Sequence, residues 1–293
     1  MMEWVLLALL VAAIVIPIVL MFGFAGCDIP FPLHDPSPGP ANLVAVAVSR
    51  SAILLRWDAT GFETSRFQVR RKRSVDATFE VVSPPLLLDT EFTVTGLEED
   101  TSYDFLVSAI KLSDEEESGS SAVTAATFGK VFETTLPTEA AGPNRCVAQR
   151  IEPARLARSG TRVQLTLAIP SGAPLLINGL SISHAAASGD PYDSDGPPTI
   201  LVDVNAPLFI PADPGAGFLE LPAIDFALDQ TRPLLVAFDT GLQGQVRLIT
   251  NVSQTEATSF ASPPGVQQAN VADRQSGFVP VGSIALIQRI DAG

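Results

Sequence analysis

Apolar and polar residues alternate through most of the chain after residue 40, a period-two pattern typical of half-buried β-strands. The pattern first fills seven segments separated by turn-rich joints: NLVAVAVS, AILLRWDA, RFQVRRKR, FEVV, EFTVTGL, SYDFLVSAIK and SAVTAATF. It resumes in RVQLTLAI, PLLINGLSIS, TILVDV, GFLELPAI, RPLLVAFD, QVRLITN and GSIALIQRI. Helical periodicity is absent here apart from about one turn near residues 152–157. We therefore predict an all-β fold of two β-sandwich domains, residues 41–128 and 146–293, joined by a linker at residues 129–145.

A different pattern opens the chain, since no residue from Trp4 to Ala25 is charged. As a helix this segment would be roughly 33 Å long, enough to cross a hydrocarbon core of about 30 Å. Residues 1–27 are thus predicted to form one hydrophobic helix. Residues 28–40, rich in proline and without apolar periodicity, are predicted to be an extended linker.

Two interpretations of the amino terminus remain open. The tetrapeptide Phe24-Ala25-Gly26-Cys27 resembles the lipobox of bacterial lipoproteins, with Phe24 where that family usually has an aliphatic residue. The resemblance implies a signal peptide that is removed and a lipidated Cys27 as the new first residue. The alternative is an uncleaved transmembrane anchor, and the length of the apolar run and the unusual n-region, which has Glu3 and no base, favour it slightly. Both interpretations place the chain at a membrane, outside the cytoplasm.

Residues 38–128 contain the most specific motifs. The segments Pro40-Ala41-Asn42-Leu43, Leu55-Arg56-Trp57, Thr95-Gly96-Leu97 and Thr101-Ser102-Tyr103 stand in the order found in fibronectin type III domains, and this part of the chain resembles that family. The resemblance implies a buried Trp57 on the second strand and a Tyr103 hydroxyl that bonds back to upstream backbone. Such domains are usually spacers or binding modules.

The later part of the chain loosely resembles a jelly-roll module of secreted bacterial and phage-associated proteins, related to galactose-binding-like sandwiches. The resemblance lies in the block from TRVQLTLAI to LFIPA and in the later LDQTRPLLVAFD. It implies a second β-sandwich of jelly-roll type and mostly structural motifs.

Composition excludes several classes of function. The net charge is -14, with 32 acidic and 18 basic residues, so the field of the protein repels phosphate backbones, and we expect no nucleic-acid partner. Two cysteines and two histidines rule out a disulfide framework and a zinc site built from several such ligands. His184 is the only histidine in the folded region, and Cys146 has no histidine near it in sequence. We therefore expect no nucleophilic catalysis and no enzyme activity.

One loop, GDPYDSDG, has the features of a ligand site. Asp190, Asp193 and Asp195 supply closely spaced carboxylates before a glycine, which suits calcium but matches only half of an EF-hand pattern. An ordinary turn rich in aspartate is the alternative, and we expect no other cofactor. Tyr192 is the candidate aromatic ligand-binding residue of the second domain, because alternation assigns most of its phenylalanines to the interior.

These observations favour a membrane-anchored, non-catalytic surface protein that presents β-sandwich modules for adhesion or structural assembly, with association with a virion as a variant. The alternative is a carbohydrate-binding module protein of the cell envelope. The sequence leaves the identity of the protein or glycan partner open.

Overall fold

The computed structural model describes residues 39–59, 65–112, 115–141, 144–215, 217–242, 244–253 and 255–293. Cys27 and the apolar segment of residues 1–27 lie outside these ranges, so neither interpretation of the amino terminus is tested. Of the described residues, only Pro153–Arg155 are helical, as one 3-10 turn. No helix in the described part of the chain is both long enough and apolar enough to span a bilayer. The all-β prediction is confirmed.

Among the described residues, eight strands form the first module. They are β1 (Ala41–Ser49), β2 (Ala52–Asp58), β3 (Ser65–Arg73), β4 (Glu80–Val81), β5 (Glu91–Val94), β6 (Ser102–Lys111), β7 (Glu117–Gly119) and β8 (Val123–Ala126). One sheet has the order β1-β2-β5, and the other has the order β4-β3-β6-β7 with β8 also paired to β6. Each of the seven predicted segments contains a strand. The additional short strand β7 pairs with the second half of β6, whereas β8 pairs with its first half.

The core of the first module contains the predicted aromatic residues. Trp57 and Phe67 are buried and pack edge to face, with 5.4 Å between ring centroids. Tyr103 is also buried, and its hydroxyl accepts a hydrogen bond from the backbone N–H of Glu98 at 3.0 Å. Gly96 has a φ of 70°, a left-handed conformation that suits glycine at this corner. The predicted tyrosine corner is therefore present.

Fifteen further strands follow in the ranges that the structure describes. They are β9 (Gly129–Glu133), β10 (Thr138–Ala141), β11 (Cys146–Ile151), β12 (Gly160–Ala168), β13 (Leu175–His184), β14 (Thr199–Val202), β15 (Leu208–Ile210), β16 (Phe218–Glu220), β17 (Ile224–Leu228), β18 (Leu234–Thr240), β19 (Gln245–Thr250), β20 (Ala257–Ala261), β21 (Val279–Val281), β22 (Ser283–Ala285) and β23 (Ile287–Ala292). One sheet has the order β14-β13-β18-β11-β20-β21 with β15 on β13, and a second has the order β16-β12-β23-β9 with β17 on β12. A three-stranded sheet, β10-β19-β22, completes the set.

The two larger sheets pack face to face as a second sandwich. Leu165 of β12 and Ile290 of β23 share one hydrophobic core with Ile182 of β13 and Val236 of β18, and all four side chains are fully buried. Burial of this continuous apolar layer is the main favourable contribution to the stability of such a module. The jelly-roll winding of its strands stays a prediction.

The segment that the sequence analysis assigns to a linker, residues 129–145, contains two strands. Strand β9 pairs with β23, and β10 pairs with β19, so both belong to sheets of the second module. Val131 and Phe132 explain the pairing, because both side chains are buried in the core of the second sandwich. The flanking proline, glycine and threonine residues are typical of a linker, but this apolar pair forms part of a folded domain.

Within the described part of the chain, four arginine contacts join the two modules. They are Arg50 with Glu220, Arg158 with Asp100, Arg162 with the carbonyl of Ala47, and Arg289 with Glu99. Phe128, which is fully buried, immediately precedes β9, and its carbonyl accepts a hydrogen bond from the N–H of Asp100 at 3.1 Å. Residues 39–293 accordingly form one compact unit.

Arg289 is the most buried of these arginines. Its guanidinium donates to the buried carboxylate of Asp291 at 2.7 Å and to Glu99, across the junction, at 2.6 Å. Burial alone would lower the pKa of Arg289, but hydrogen bonds and charge attraction from Asp291 and Glu99 outweigh it and raise that pKa. Arg289 therefore stays charged and satisfies carboxylates of both modules.

Trp57→Ala should destabilise the first module by about 3–5 kcal/mol, because it removes a large buried side chain and leaves a cavity beside Phe67. The free energy of unfolding can be measured by urea titration with circular dichroism. Val44→Ala is the matched control, since Val44 lies on the neighbouring strand and is exposed. An unchanged midpoint for Trp57→Ala would show that Trp57 does not lie in the core.

The junction should couple the unfolding of the two modules. In a Trp4→Phe background, fluorescence of Trp57 reports on the first module, and alkylation of buried Cys146, followed by peptide mass spectrometry, reports on the second. We expect coincident denaturant transitions in this background. Glu99→Gln combined with Asp100→Asn should separate them and lower the stability of the first module by about 1 kcal/mol, because both ion pairs are partly exposed.

The control for this experiment is Glu91→Gln, which breaks the exposed ion pair with Arg56 inside the first module. Its two transitions should remain coincident. Separate transitions already in the parent protein would show that the junction does not couple the modules.

Candidate functional site

The three predicted calcium ligands do not share a ligand shell. Their carboxylates accept hydrogen bonds from three different groups: Asp190 from the hydroxyl of Tyr192 at 2.8 Å, Asp193 from the N–H of Arg274 at 2.8 Å, and Asp195 from the guanidinium of Arg232 at 2.6 Å. No group of three His, Cys, Asp or Glu side chains suited to a metal ion occurs among the described residues. The three carboxylates are thus each engaged by a different group of the protein. Calcium binding at this loop stays a prediction.

Tyr192 is buried, not displayed on the surface. Its ring stacks on Phe278 with 4.6 Å between centroids and also packs against Phe260. Burial, followed by the hydrogen bond to Asp190, raises the pKa of Tyr192 to about 12. The ring contacts other aromatic side chains and offers little surface to a ligand. A binding role for Tyr192 stays a prediction.

A depression of about 790 Å³ opens at one end of the second sandwich and is the candidate functional site. It is lined by Asn144, Pro174, Leu176, Asn178, Phe209, Gly241, Leu242, Gly265 and Gln267. Its volume is within the range of about 300–1,000 Å³ that is typical of small-molecule sites. Phe209 and Leu242 are 61% and 81% exposed, so two apolar side chains stand free at this site. This depression and a smaller one that adjoins it are together called the groove.

Three amide side chains in the groove form a hydrogen-bonded chain. Asn178 Nδ2 donates to Gln267 Oε1 at 3.2 Å, and Gln267 Nε2 donates to Asn144 Oδ1 at 2.7 Å and to the carbonyl of Thr240 at 3.0 Å. These bonds fix the orientation of each amide. Asn178 Oδ1 and Asn144 Nδ2 then remain as an acceptor and a donor that bind no described residue through a side-chain hydrogen bond.

A second depression of about 340 Å³ adjoins the first, because Asn178 and Gln267 line both. Its lining also includes Val204 and Val271, which are exposed, and Asn270. Asn270 Nδ2 donates to the carbonyl of Val202 at 3.0 Å, while its buried Oδ1 accepts no hydrogen bond from any described residue. An unsatisfied buried acceptor costs about 1–3 kcal/mol, and the burial of this atom keeps it out of reach of a ligand in the depression.

A buried aspartate holds the loop that carries Gln267 and Asn270. Asp239 accepts hydrogen bonds from the N–H groups of Gln268 and Ala269 at 2.9 and 3.1 Å. Burial raises the pKa of Asp239, although these hydrogen bonds oppose the shift. The carboxylate thus fixes the backbone on both sides of the bond between residues 268 and 269.

Arg274 holds the same loop from the other side. Only 2% of this residue is exposed, and its guanidinium donates to the carbonyls of Tyr192 at 2.6 Å, Gln268 at 3.1 Å and Ala269 at 3.0 Å. Burial lowers the pKa of Arg274, and nearby Asp193 and Asp239 counteract that effect. The wall of the groove is therefore held by buried charged groups as well as by strand pairing.

The groove residues come from distant parts of the chain, and no sequence motif connects them. Asn144 precedes β11, Asn178 lies on β13 and Gln267 follows β20. For Phe209 alone, the alternation of apolar residues along its strand could have predicted exposure at the surface. Within Leu208–Ile210, the side chain of Ile210 is buried and that of Phe209 is exposed, so strict alternation around Ile210 places Phe209 outside.

Residues 37–124 match the family model of the fibronectin type III domain. Two solved structures are similar to this part of the chain, each 21% identical and each covering 31% of this chain and 96% of the other chain. One is described as "Myokine structure", with a TM-score of 0.28, and the other is the crystal structure of the FN5 domain of Drosophila Lar, with a TM-score of 0.26.

The match covers β1 to β7 and the start of β8, a region in which Trp57 is buried and Tyr103 forms the corner. This domain type is generally non-catalytic. Residues 37–124 therefore constitute a fibronectin type III domain, and a second β-sandwich follows it.

Proposed function

We propose that this chain is a membrane-anchored, non-catalytic surface protein that binds a partner through the groove of its second sandwich and so acts in adhesion or assembly. The observation that supports this most strongly is the groove itself. It combines exposed Phe209 and Leu242 with amides whose orientation is fixed in advance. Preorganised polar groups beside free apolar surface favour binding, because little conformational entropy is lost when a partner arrives.

The only histidine of the described region has a structural role, because it is buried and hydrogen-bonded to backbone. His184 is 5% exposed, and its Nε2 accepts a hydrogen bond from the N–H of Asp229 at 3.1 Å. Nε2 also lies 3.2 Å from the carbonyl of Ala227, and Nδ1 lies 3.4 Å from the carbonyl of Pro233. Both ring nitrogens are engaged by backbone, which leaves neither available as a general base.

The only cysteine of the described region is equally unsuited to nucleophilic chemistry. Cys146 is fully buried, and burial together with nearby Asp239 raises the pKa of its thiol. A reactive cysteine needs a low pKa and access to substrate, and this one has neither. Together with the fibronectin type III domain, these placements support a binding role over a catalytic one.

Support for the membrane location comes from the sequence alone. The uncharged run from Trp4 to Ala25 is long enough to insert, and the proline-rich residues 28–40 would hold the sandwiches away from the bilayer. Either an uncleaved helix or a lipidated Cys27 would serve as the anchor. Both place the groove outside the cytoplasm.

Cysteine labelling in intact cells tests this proposal. Leu242→Cys places a thiol at a groove position that is 81% exposed. We expect a membrane-impermeant maleimide to label it rapidly in whole cells, and we expect the labelled chain to sediment with membranes. The native chain is the control, since its buried Cys146 should stay unlabelled until the protein is denatured. Peptide mass spectrometry separates these thiols from Cys27.

If Leu242→Cys were labelled only after lysis, the groove would face the cytoplasm, and the proposal of a surface protein would be wrong. Labelled protein that remained in the soluble fraction would contradict the anchor instead.

A further inference from the structure

We propose that the groove binds an uncharged oligosaccharide. This inference rests on the proposed function and specifies the chemical class of the partner. The first argument is the charge of the lining. The described residues that line the two depressions include no lysine, arginine or histidine. Their two carboxylates are already hydrogen-bonded, Asp203 to Asn205 and Asp239 to the backbone of residues 268 and 269.

An anionic ligand would therefore find no lysine, arginine or histidine to pair with among the described residues of the groove. The net charge of the chain, -14, would also repel an anionic glycan or a phosphate. A ligand rich in uncharged hydroxyl groups meets neither obstacle.

The second argument is the hydrogen-bonding pattern. A sugar hydroxyl both donates and accepts, and vicinal hydroxyls do so in adjacent pairs. The amide chain offers the matching pair, an acceptor at Asn178 Oδ1 and a donor at Asn144 Nδ2, both oriented through Gln267. In the second depression, Asn178 and Gln267 continue the amide wall beside Asn270, whose Nδ2 donates to the carbonyl of Val202 at 3.0 Å.

The third argument is the apolar side. A pyranose ring exposes C–H groups on one face, and these pack against an aromatic ring or a branched aliphatic side chain. Phe209 and Leu242 supply such surfaces at the first depression, and Val204 and Val271 do so at the second. Exposed apolar groups beside fixed amides suit a ligand with one polar and one apolar face.

Asn178 and Gln267 line both depressions, so the two depressions form one extended site. Two adjoining depressions of about 790 and 340 Å³ can hold successive sugar units on either side of these two residues. The groove is therefore suited to a chain of several sugars, and a monosaccharide would fill only part of it.

The test is a binding titration of the full chain, purified in a zwitterionic detergent without a sugar headgroup. The probes are maltohexaose, cellohexaose and chitohexaose, with a heparin oligosaccharide as the anionic comparison. We expect at least one neutral hexasaccharide to bind and to be recovered uncleaved. Phe209→Ala and Asn178→Ala should each raise its Kd at least tenfold, whereas Phe209→Trp should retain binding because an aromatic face remains.

Phe218→Ala is the matched control, because Phe218 is 56% exposed, lies on β16 and does not line the groove. Its Kd should be unchanged, and protection of buried Cys146 from alkylation should show that the second sandwich of every variant is folded. The inference would be overturned if no neutral hexasaccharide bound the folded protein, if Phe209→Ala and Phe218→Ala behaved alike, or if heparin or a peptide library occupied the groove instead. Labelling of Leu242→Cys on intact cells does not depend on sugar binding, so the two proposals can fail separately.

Discussion

The buried ion pair between Arg289 and Asp291 fixes the arginine that reaches from the second module to the first. Both residues lie on β23, which pairs with β12 on one side and with β9 on the other. Asp291 is 1% exposed, and a buried carboxylate is stable only when it is paired and hydrogen-bonded. The same arginine also donates a hydrogen bond to Glu99 of the fibronectin type III domain. The side chain that neutralises the buried carboxylate of Asp291 therefore also links the two domains.

A second set of buried charges holds the groove. Asp239 binds backbone N–H groups of the loop after β20, and Arg274 binds carbonyls of the same loop. Regular strand pairing leaves such a loop without partners, and these side chains supply them. The groove wall is thus built from irregular backbone whose conformation is nevertheless specified. Fixed geometry of this kind is what a binding site needs, because a mobile wall would lose entropy on each binding event.

The fold could be predicted well where its determinants are local. Alternation located the described strands of the first module except the short β7, and the tyrosine corner depends on Gly96, Glu98 and Tyr103, which are neighbours in sequence. Strand β9 was missed because its apolar pair is short and stands among linker-like residues. Its burial depends on pairing with β23, more than 150 residues later in the sequence.

The site was harder to predict for the same reason. Asn144, Asn178 and Gln267 have no shared spacing, and only the sandwich brings them together. The spacing of Asp190, Asp193 and Asp195 suggested a common ligand, but spacing does not determine where carboxylates point. Tyr192, Arg274 and Arg232 each engage one of them.

Hydrogen exchange across residues 129–134 tests most directly whether the two domains are joined by a paired strand. The N–H of Thr134 donates to the carbonyl of Gln288 at 3.0 Å, and β9 pairs with β23 over its length. We expect a slowly exchanging subset of amides in this segment, with protection similar to that of Gly160–Ala168 on the same sheet. Exchange of every amide in residues 129–134 at the rate of an unpaired linker would contradict the account.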